Sequence, residues 1–298
     1  MSRILRFCLI CAVVGLLAPA AGSAYSWPLR PFFKEHAIRG YFNDPRLSNV
    51  ERSFHFGVDI VATDLQPVYA IEGGRAYVRG TRVAIYPKRG GHRLSYWHVM
   101  PAVRGARLVR QRQLIGHVVP GMGHVHLAEY RDGRYINPLR LGGLAPYIDD
   151  TVPQIPKLTF YSFGNPIAPE SVSGFVDITI DAFDPPPLPA LPPEWAQAKL
   201  APTHIRWRIV QGQTIVKPWE TAINFRTFLF PRALFSTVYG PGTYQNKANR
   251  PGRYEFYLAH ELETGLFPNG SYVLEAEALD EQENVGRALF AFTIRNGG

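Results

Sequence analysis

The chain has 298 residues, of which 46% are hydrophobic, 19% charged and 13% aromatic. The charged fraction is too low and the apolar fraction too high for a disordered protein, and the length is sufficient for two domains of ordinary size. The 27 Gly and 26 Pro follow no three-residue period, which excludes collagen. Together with 15 Tyr and 18 Phe they favour many short strands joined by turns.

Residues 1–24 have the pattern of an export signal. Arg3 and Arg6 precede an apolar run over residues 7–17, which is shorter than a comfortable bilayer span, and small residues up to Ala24 suit cleavage there. An uncleaved membrane anchor is the alternative, and either interpretation places the rest of the chain outside the cytoplasm. No second long apolar stretch follows, so we expect no membrane span after the signal is removed.

Both cysteines, Cys8 and Cys11, lie inside this segment. The mature chain therefore has no disulfide, although it is expected to be exported. Its folded state must be stabilised by the hydrophobic core without covalent cross-links. Cysteine-based catalysis and cysteine-ligated zinc are excluded for the mature protein.

Positive charge is concentrated in the first half. Residues 25–150 carry 18 Lys and Arg against 10 Asp and Glu, whereas residues 151–298 carry 12 against 14. Between Glu72 and Glu129 there are ten Lys and Arg and no acidic residue. Such a surface suits an anionic polymer, although a solvated face that keeps the protein soluble is an equally simple interpretation. No nucleic-acid-binding motif is present, so we expect no nucleic acid partner and favour a carboxylate-rich cell-wall polymer.

The period-two pattern predicts an all-β protein made of two antiparallel parts. We expect an N-terminal antiparallel β-sheet domain over residues 25–148, a linker over 149–156, and a C-terminal immunoglobulin-like β-sandwich over 157–298. In the first part, runs such as Arg82–Tyr86 and Val125–Tyr130 are separated by glycines. In the second part, Phe175–Phe183 and Tyr272–Leu279 alternate apolar and polar residues.

Two groups of metal-ligand residues stand out in the first part. One is His55-Phe56-Gly57-Val58-Asp59, and the other is His124-Val125-His126. His124 and His126 point to the same face of a strand. A straight strand would hold His55 and Asp59 about 13 Å apart, so the chain must bend between them, and Gly57 permits the bend. Two histidine nitrogens, one carboxylate oxygen and a water would form an open, catalytic type of zinc site.

Residues from about 27 to 140 resemble the lysostaphin/LytM-type zinc metallopeptidases, which cleave peptide bonds in peptidoglycan. The motifs occur in the family's order and comprise Trp27-Pro28-Leu29, His55-Phe56-Gly57-Val58-Asp59-Ile60, Val68-Tyr69-Ala70, Tyr96-Trp97-His98-Val99, Leu114-Ile115-Gly116, His124-Val125-His126 and Asn137-Pro138-Leu139. The resemblance implies one Zn²⁺ per chain, held by His55, Asp59 and His126. It implies that His124 and His98 are the catalytic histidines that flank the activated water and the scissile carbonyl. One of them would act as the acid and base and the other would stabilise the oxyanion, and either assignment is open.

The chain departs from the family pattern at three places. Gly123 replaces a proline, Arg112 replaces a glycine, and Leu127-Ala128 replaces Phe-Glu. Glu129 therefore comes one residue late and is expected on the opposite face of its strand. Arg46 occupies the position of a family arginine, where it would either bind a substrate carboxylate or form a structural ion pair.

These observations predict an exported bacterial zinc metalloendopeptidase, periplasmic or extracellular, that hydrolyses peptidoglycan peptides. The alternative is a non-catalytic protein on the same scaffold that binds peptidoglycan or regulates a hydrolase. Such non-catalytic proteins typically lose metal-ligand residues, whereas all three predicted zinc ligands are present here. A zinc-dependent structural domain is disfavoured because three ligands leave the site open. The C-terminal domain would position the enzyme, bind a protein partner or shield the groove that binds the substrate.

Overall fold

The computed structural model describes residues 24–48 and 51–297, so that nearly all of the predicted signal segment lies outside the described residues. The strands of each sheet pair in antiparallel fashion, which confirms the predicted all-β class. The helices in the described ranges are single turns, comprising the α-helix Phe235–Val238 and the 3₁₀ helices Pro169–Ser171, Pro193–Trp195, Arg232–Leu234 and Thr264–Leu266.

The first part of the chain contains thirteen short strands. They are β1 Ile38–Gly40, β2 Pro45–Leu47, β3 Arg52–Phe54, β4 Val58–Val61, β5 Pro67–Tyr69, β6 Gly74–Arg79, β7 Arg82–Pro87, β8 His92–Trp97, β9 Val99–Pro101, β10 Arg107–Val109, β11 Leu114–Val118, β12 His124–Arg131 and β13 Arg134–Ile136. The largest sheet has the order β1-β4-β12-β8-β7-β6-β10, with β13 paired to β12. A smaller sheet has the order β5-β11-β9, and β2 pairs with β3.

The largest sheet and the three-stranded sheet contribute to one hydrophobic core. Ile60, Leu94 and Ile115 are fully or almost fully buried in it, together with Trp27 from the segment before β1. Tight reversals between strands require residues with positive φ, such as Gly80 between β6 and β7. Arg112, where the sequence comparison leads one to expect a glycine, has a φ of 59°, so an arginine adopts the left-handed backbone conformation at this turn.

The second part of the chain forms two four-stranded antiparallel sheets. Its strands are β14 Gln154–Ser162, β15 Asn165–Ile167, β16 Phe175–Phe183, β17 His204–Gln211, β18 Thr214–Asn224, β19 Glu255–Glu263, β20 Gly270–Leu279 and β21 Val285–Ile294. The sheet orders are β15-β14-β16-β19 and β18-β17-β20-β21. Buried residues of both sheets, including Ile178 and Trp207, share a second core. The finer comparison with immunoglobulin domains stays a prediction.

The two parts are joined by buried contacts. Phe54 from β3 is packed in the second core, whereas Leu200 is packed in the first. The buried carboxylate of Asp44 accepts a hydrogen bond of 2.8 Å from the backbone N–H of Ala201. Strand β14 begins at Gln154, inside the segment that the sequence predicts as a linker, and the division into domains stays a prediction. Across residues 24–48 and 51–297, no helix has both the length and the apolar character needed to cross a membrane.

Candidate metal centre

Strand pairing brings the two groups of metal-ligand residues together. β4 and β12 are adjacent and antiparallel, and their register places His126 directly opposite Asp59. β3 ends at Phe54 and β4 begins at Val58, so His55 and Gly57 lie in a break between two strands. This break provides the bend that the spacing of His55 and Asp59 requires.

Three donor atoms converge at this point. His55 Nε2 lies 2.8 Å from His126 Nδ1, and Asp59 Oδ1 lies 3.2 Å from the first atom and 3.0 Å from the second. His55 and His126 are 3% and 5% exposed, so water does not surround the donors. The structure thus brings together the three residues that the sequence predicts as ligands.

The donor set fits a metal cation. His55 Nδ1 lies 2.7 Å from the carbonyl oxygen of Tyr41, which can only accept, so the hydrogen is on Nδ1 and Nε2 carries a lone pair. Burial lowers the pKa of His55 to about 3, which keeps the ring neutral. That lone pair faces a carboxylate oxygen 3.2 Å away, and two acceptors at this distance repel each other unless a cation lies between them. Donors on one tetrahedral zinc ion lie roughly 3.4 Å apart, close to the separations found here.

Asp59 is held in its ionised form by its neighbours. Burial by itself raises the pKa of this carboxyl, but interactions with His55, His124 and Arg46 outweigh burial and bring the pKa well below its usual range. Of these neighbours only Arg46 carries a charge at neutral pH, because burial keeps both imidazoles neutral. Arg46 donates a hydrogen bond of 2.7 Å to Asp59 Oδ2, which leaves Oδ1 to face the histidines. Of the two roles predicted for Arg46, the structure therefore shows the ion pair. A contact of this residue with substrate stays a prediction.

The two predicted catalytic histidines lie side by side next to the donors. His124 Nε2 is 3.5 Å from Asp59 Oδ1, and the rings of His124 and His98 are 4.5 Å apart between centroids. His98 follows β8 with a φ of 64°, an uncommon backbone conformation that turns the chain between β8 and β9. Burial lowers the pKa of both histidines, that of His124 to about 4.

Arg39 contacts His124 directly and is a residue that the sequence analysis missed. Its Nη2 lies 2.6 Å from His124 Nδ1 and donates a 2.7 Å hydrogen bond to the carbonyl oxygen of Met122. His124 Nδ1 is itself 2.7 Å from the Met122 oxygen, so Nδ1 has a partner whether it accepts from Arg39 or donates to Met122. Trp195, from the second part of the chain, stacks on the Arg39 guanidinium at 4.2 Å.

No local sequence signal could have identified this pair. Arg39 reaches the site because β1 pairs with the ligand-bearing strand β4, with Gly40 opposite Asp59. Trp195 belongs to a 3₁₀ turn more than 150 residues later in the chain. Both placements depend on tertiary pairing, which neither strand periodicity nor motif spacing encodes.

Glu129 does not contact the histidines. It lies on the opposite face of β12, is 1% exposed, and accepts hydrogen bonds from Arg140 at 2.7 Å and Arg131 at 2.9 Å. A surface cavity of about 1060 Å³ is lined by Glu72 and by the basic residues Lys88, Arg89, Arg107, Arg110 and Arg112, and none of the five predicted ligand and catalytic residues lines it.

Substituting Gly57 with alanine is expected to disrupt the metal centre. A Cβ at this position would lie 2.3 Å from the backbone oxygen of Leu127 and 2.8 Å from His126 Nε2, so either β12 or the His126 ring must move. We expect the free energy of unfolding to fall by roughly 1–3 kcal/mol and the zinc content to decrease. Chemical denaturation and metal analysis measure the two effects.

Gly265→Ala is the matched control, because the nearest side-chain atom lies 3.7 Å from its added Cβ and its φ is not positive. Wild-type stability and full zinc content in Gly57→Ala would show that the close approach of the Gly57 backbone to β12 is not needed.

The chain is similar to several proteins of known structure. No family model matches the chain, and no curated protein matches it. Among solved structures, the chain is similar to Csd3 from Helicobacter pylori, with 26% identity, a TM-score of 0.33, and coverage of 41% of this chain and 35% of Csd3. It is also similar to the catalytic domain of the antimicrobial peptidase lysostaphin from Staphylococcus simulans, with 26% identity, a TM-score of 0.27, and coverage of 30% and 75%.

A third similar structure is the catalytic domain of the M23 protein EnpA from Enterococcus faecalis, with 24% identity, a TM-score of 0.30, and coverage of 38% of this chain and 97% of that domain. One of the three matched structures is itself a catalytic domain of lysostaphin, the type of protein that the motifs resemble. The chain spans about a third of Csd3, and each of the three matches covers less than half of the chain. The function proposed below depends on the geometry of the site.

Proposed function

We propose that the chain is an exported zinc metallopeptidase that hydrolyses peptide bonds in bacterial peptidoglycan. The observation that carries this proposal is the convergence of His55 Nε2, Asp59 Oδ1 and His126 Nδ1 to within 3.2 Å of one another, with two further imidazoles beside them. Zinc held by these three residues supplies a Lewis acid that activates water and polarises the amide carbonyl.

The residues around the donors have distinct tasks in this proposal. Tyr41 fixes the His55 ring through its carbonyl oxygen, and Arg46 fixes the Asp59 carboxylate. One of His124 and His98 takes a proton from water and delivers one to the leaving amine, and the other, when protonated, stabilises the oxyanion. Arg39 can only donate to His124 Nδ1, and the Met122 oxygen can only accept from it. Nδ1 therefore has a partner with or without its hydrogen, and the ring keeps its orientation when His124 exchanges a proton.

Peptidoglycan is the substrate class that agrees with the charge distribution. Its peptides carry carboxylates, and the first part of the chain has an excess of eight positive charges over residues 25–150. The cavity among Lys88, Arg89 and Arg107 offers a basic surface that can bind such a polymer at a distance from the peptide bond that is cut. The predicted export segment would bring the protein to the compartment in which this polymer is found, and the second part of the chain is available for a protein partner.

The proposal is tested with the purified mature protein and isolated peptidoglycan. We expect one zinc per chain by metal analysis and release of soluble peptide fragments, with cleavage abolished by a chelator and restored by added zinc. Mass spectrometry of the fragments identifies the bond that is cut. Binding to peptidoglycan without soluble fragments, at full zinc occupancy, would replace the proposal with the non-catalytic alternative.

A further inference from the structure

A second cluster of ligand-type side chains lies outside the metal centre described above. Asp149, Asp184 and Asp280 each place one carboxylate oxygen within 4.8 Å of those of the other two. The three residues are 7%, 4% and 2% exposed. Two oxygens that bind the same Ca²⁺ at about 2.3–2.6 Å cannot lie more than roughly 5 Å apart, so the separation is of the size that a shared cation requires.

Among the described residues, no positively charged side chain neutralises this cluster. Within residues 24–48 and 51–297, none of the three carboxylates forms an ion pair with Lys, Arg or His. Burying an ionised carboxylate without a counter-charge is strongly unfavourable, and three such groups at one point increase the cost. Accordingly, burial and the neighbouring carboxylates of Asp149 and Asp280 raise the pKa of Asp184 to about 9.

Asp184 provides an independent indication of a ligand. Its Oδ1 atom is fully buried and has no hydrogen-bond partner among the described residues. A buried carboxylate oxygen normally accepts at least one hydrogen bond, so an orphaned one needs an explanation. The other two members of the cluster are carboxylates, which can share a cation with Asp184 and cannot donate to it when ionised.

The other two carboxylates are held in place by local hydrogen bonds. Asp149 Oδ1 accepts from the N–H and the hydroxyl of Thr151, at 3.0 and 2.6 Å. Asp280 Oδ1 accepts from the backbone N–H groups of Gln282 and Asn284, at 2.8 and 2.9 Å. Because these bonds fix both side chains, the cluster is preorganised and need not rearrange to bind an ion.

We propose that Asp149, Asp184 and Asp280 form a binding site for a hard divalent cation, calcium or magnesium. The donors are carboxylate oxygens with no nitrogen or sulfur among them, which is the ligand set that these ions prefer over zinc. The site is separate from the histidine centre and does not depend on the peptidase activity.

The position of the cluster gives the cation a structural task. Asp149 lies in the segment before β14, Asp184 follows β16 and Asp280 follows β20, and these two strands belong to different sheets. A cation shared by the three would tie the ends of both sheets to the segment that connects the two parts of the chain. Asn284 reinforces the same junction by donating to the Asp149 carbonyl oxygen at 2.8 Å and to Asp280 Oδ2 at 2.7 Å.

The experiment measures cation binding and thermal stability of the full mature chain after removal of all metals. Calcium and magnesium are titrated separately by calorimetry, and the melting temperature is recorded with and without each ion. For an ion at about 100 times its Kd, we expect the melting temperature to rise by roughly 5–10 °C. Asp184→Asn should lose the binding and the shift, whereas Asp150→Asn, which changes an exposed neighbour, should keep both.

A His126→Ala variant separates this site from the histidine centre. Calcium or magnesium binding should persist in it at the wild-type stoichiometry, since His126 is not part of the acidic cluster. Loss of binding in His126→Ala would place the ion at the histidine centre and overturn the proposal. The proposal would also be overturned if neither ion bound the wild type. A higher melting temperature of Asp184→Asn in metal-free buffer would then show that the carboxylates share a proton instead of a cation.

Discussion

Purified His126→Ala is expected to contain almost no zinc, whereas His124→Ala should retain close to one zinc per chain and lose most of its activity. His126 Nδ1 is one of the three converging donor atoms, and its removal leaves only two protein ligands. Among the described residues His124 belongs to no such group of donors, and in the proposed function it either transfers a proton or stabilises the oxyanion. Removing a group that acts in general acid–base catalysis lowers kcat by typically 10²–10⁴-fold.

Metal analysis and kinetics on the same preparations check this prediction, with His117→Ala as the control. His117 lies on β11 in the separate β5-β11-β9 sheet, and its replacement should change neither zinc content nor activity. Equal zinc in His126→Ala and His124→Ala would refute the assignment of ligands. An active His124→Ala would refute the role of His124 and leave that of His126 standing.

The sequence predicted the features of this site that depend on local geometry. The alternation of side chains along a strand places His124 and His126 on one face, and the distance argument requires a bend at Gly57, where the structure has the break between β3 and β4. The opposite orientation of Glu129 follows from the same alternation. The all-β class could be predicted as well, because many short alternating runs separated by glycines leave little room for helices.

What the sequence could not reveal depends on contacts between distant segments. Asp149, Asp184 and Asp280 occupy three unrelated loops, and nothing about their spacing suggests that their carboxylates meet. Arg46 could be assigned to substrate or to an ion pair with equal justification until the structure showed its contact with Asp59. The sequence does not predict that β14 begins at Gln154, because the preceding segment, with Asp149-Asp150 and Pro153, has the composition of a linker.

Arg39 is expected to be a positioning residue that acts through His124. Arg39→Met keeps an unbranched apolar stem but removes the guanidinium and its contacts with His124 Nδ1 and the Met122 oxygen. Misplacing a catalytic group by even 1 Å can reduce the rate about 10²-fold, so we expect kcat to fall by roughly 10–100-fold, with zinc content unchanged and KM little affected. Trp195→Ala should have a smaller effect in the same direction, because Trp195 supports only the Arg39 guanidinium.

Steady-state kinetics on a defined peptide substrate measure these effects, and Arg79→Met, at an exposed position, is the control for loss of a positive charge. The double variant Arg39→Met/His124→Ala gives the decisive comparison. If Arg39 acts through His124, the double variant should be no slower than His124→Ala alone, since the group that Arg39 orients is already absent. Multiplication of the two losses would instead show that Arg39 acts independently of His124, by contacting the substrate or by stabilising the fold around β1.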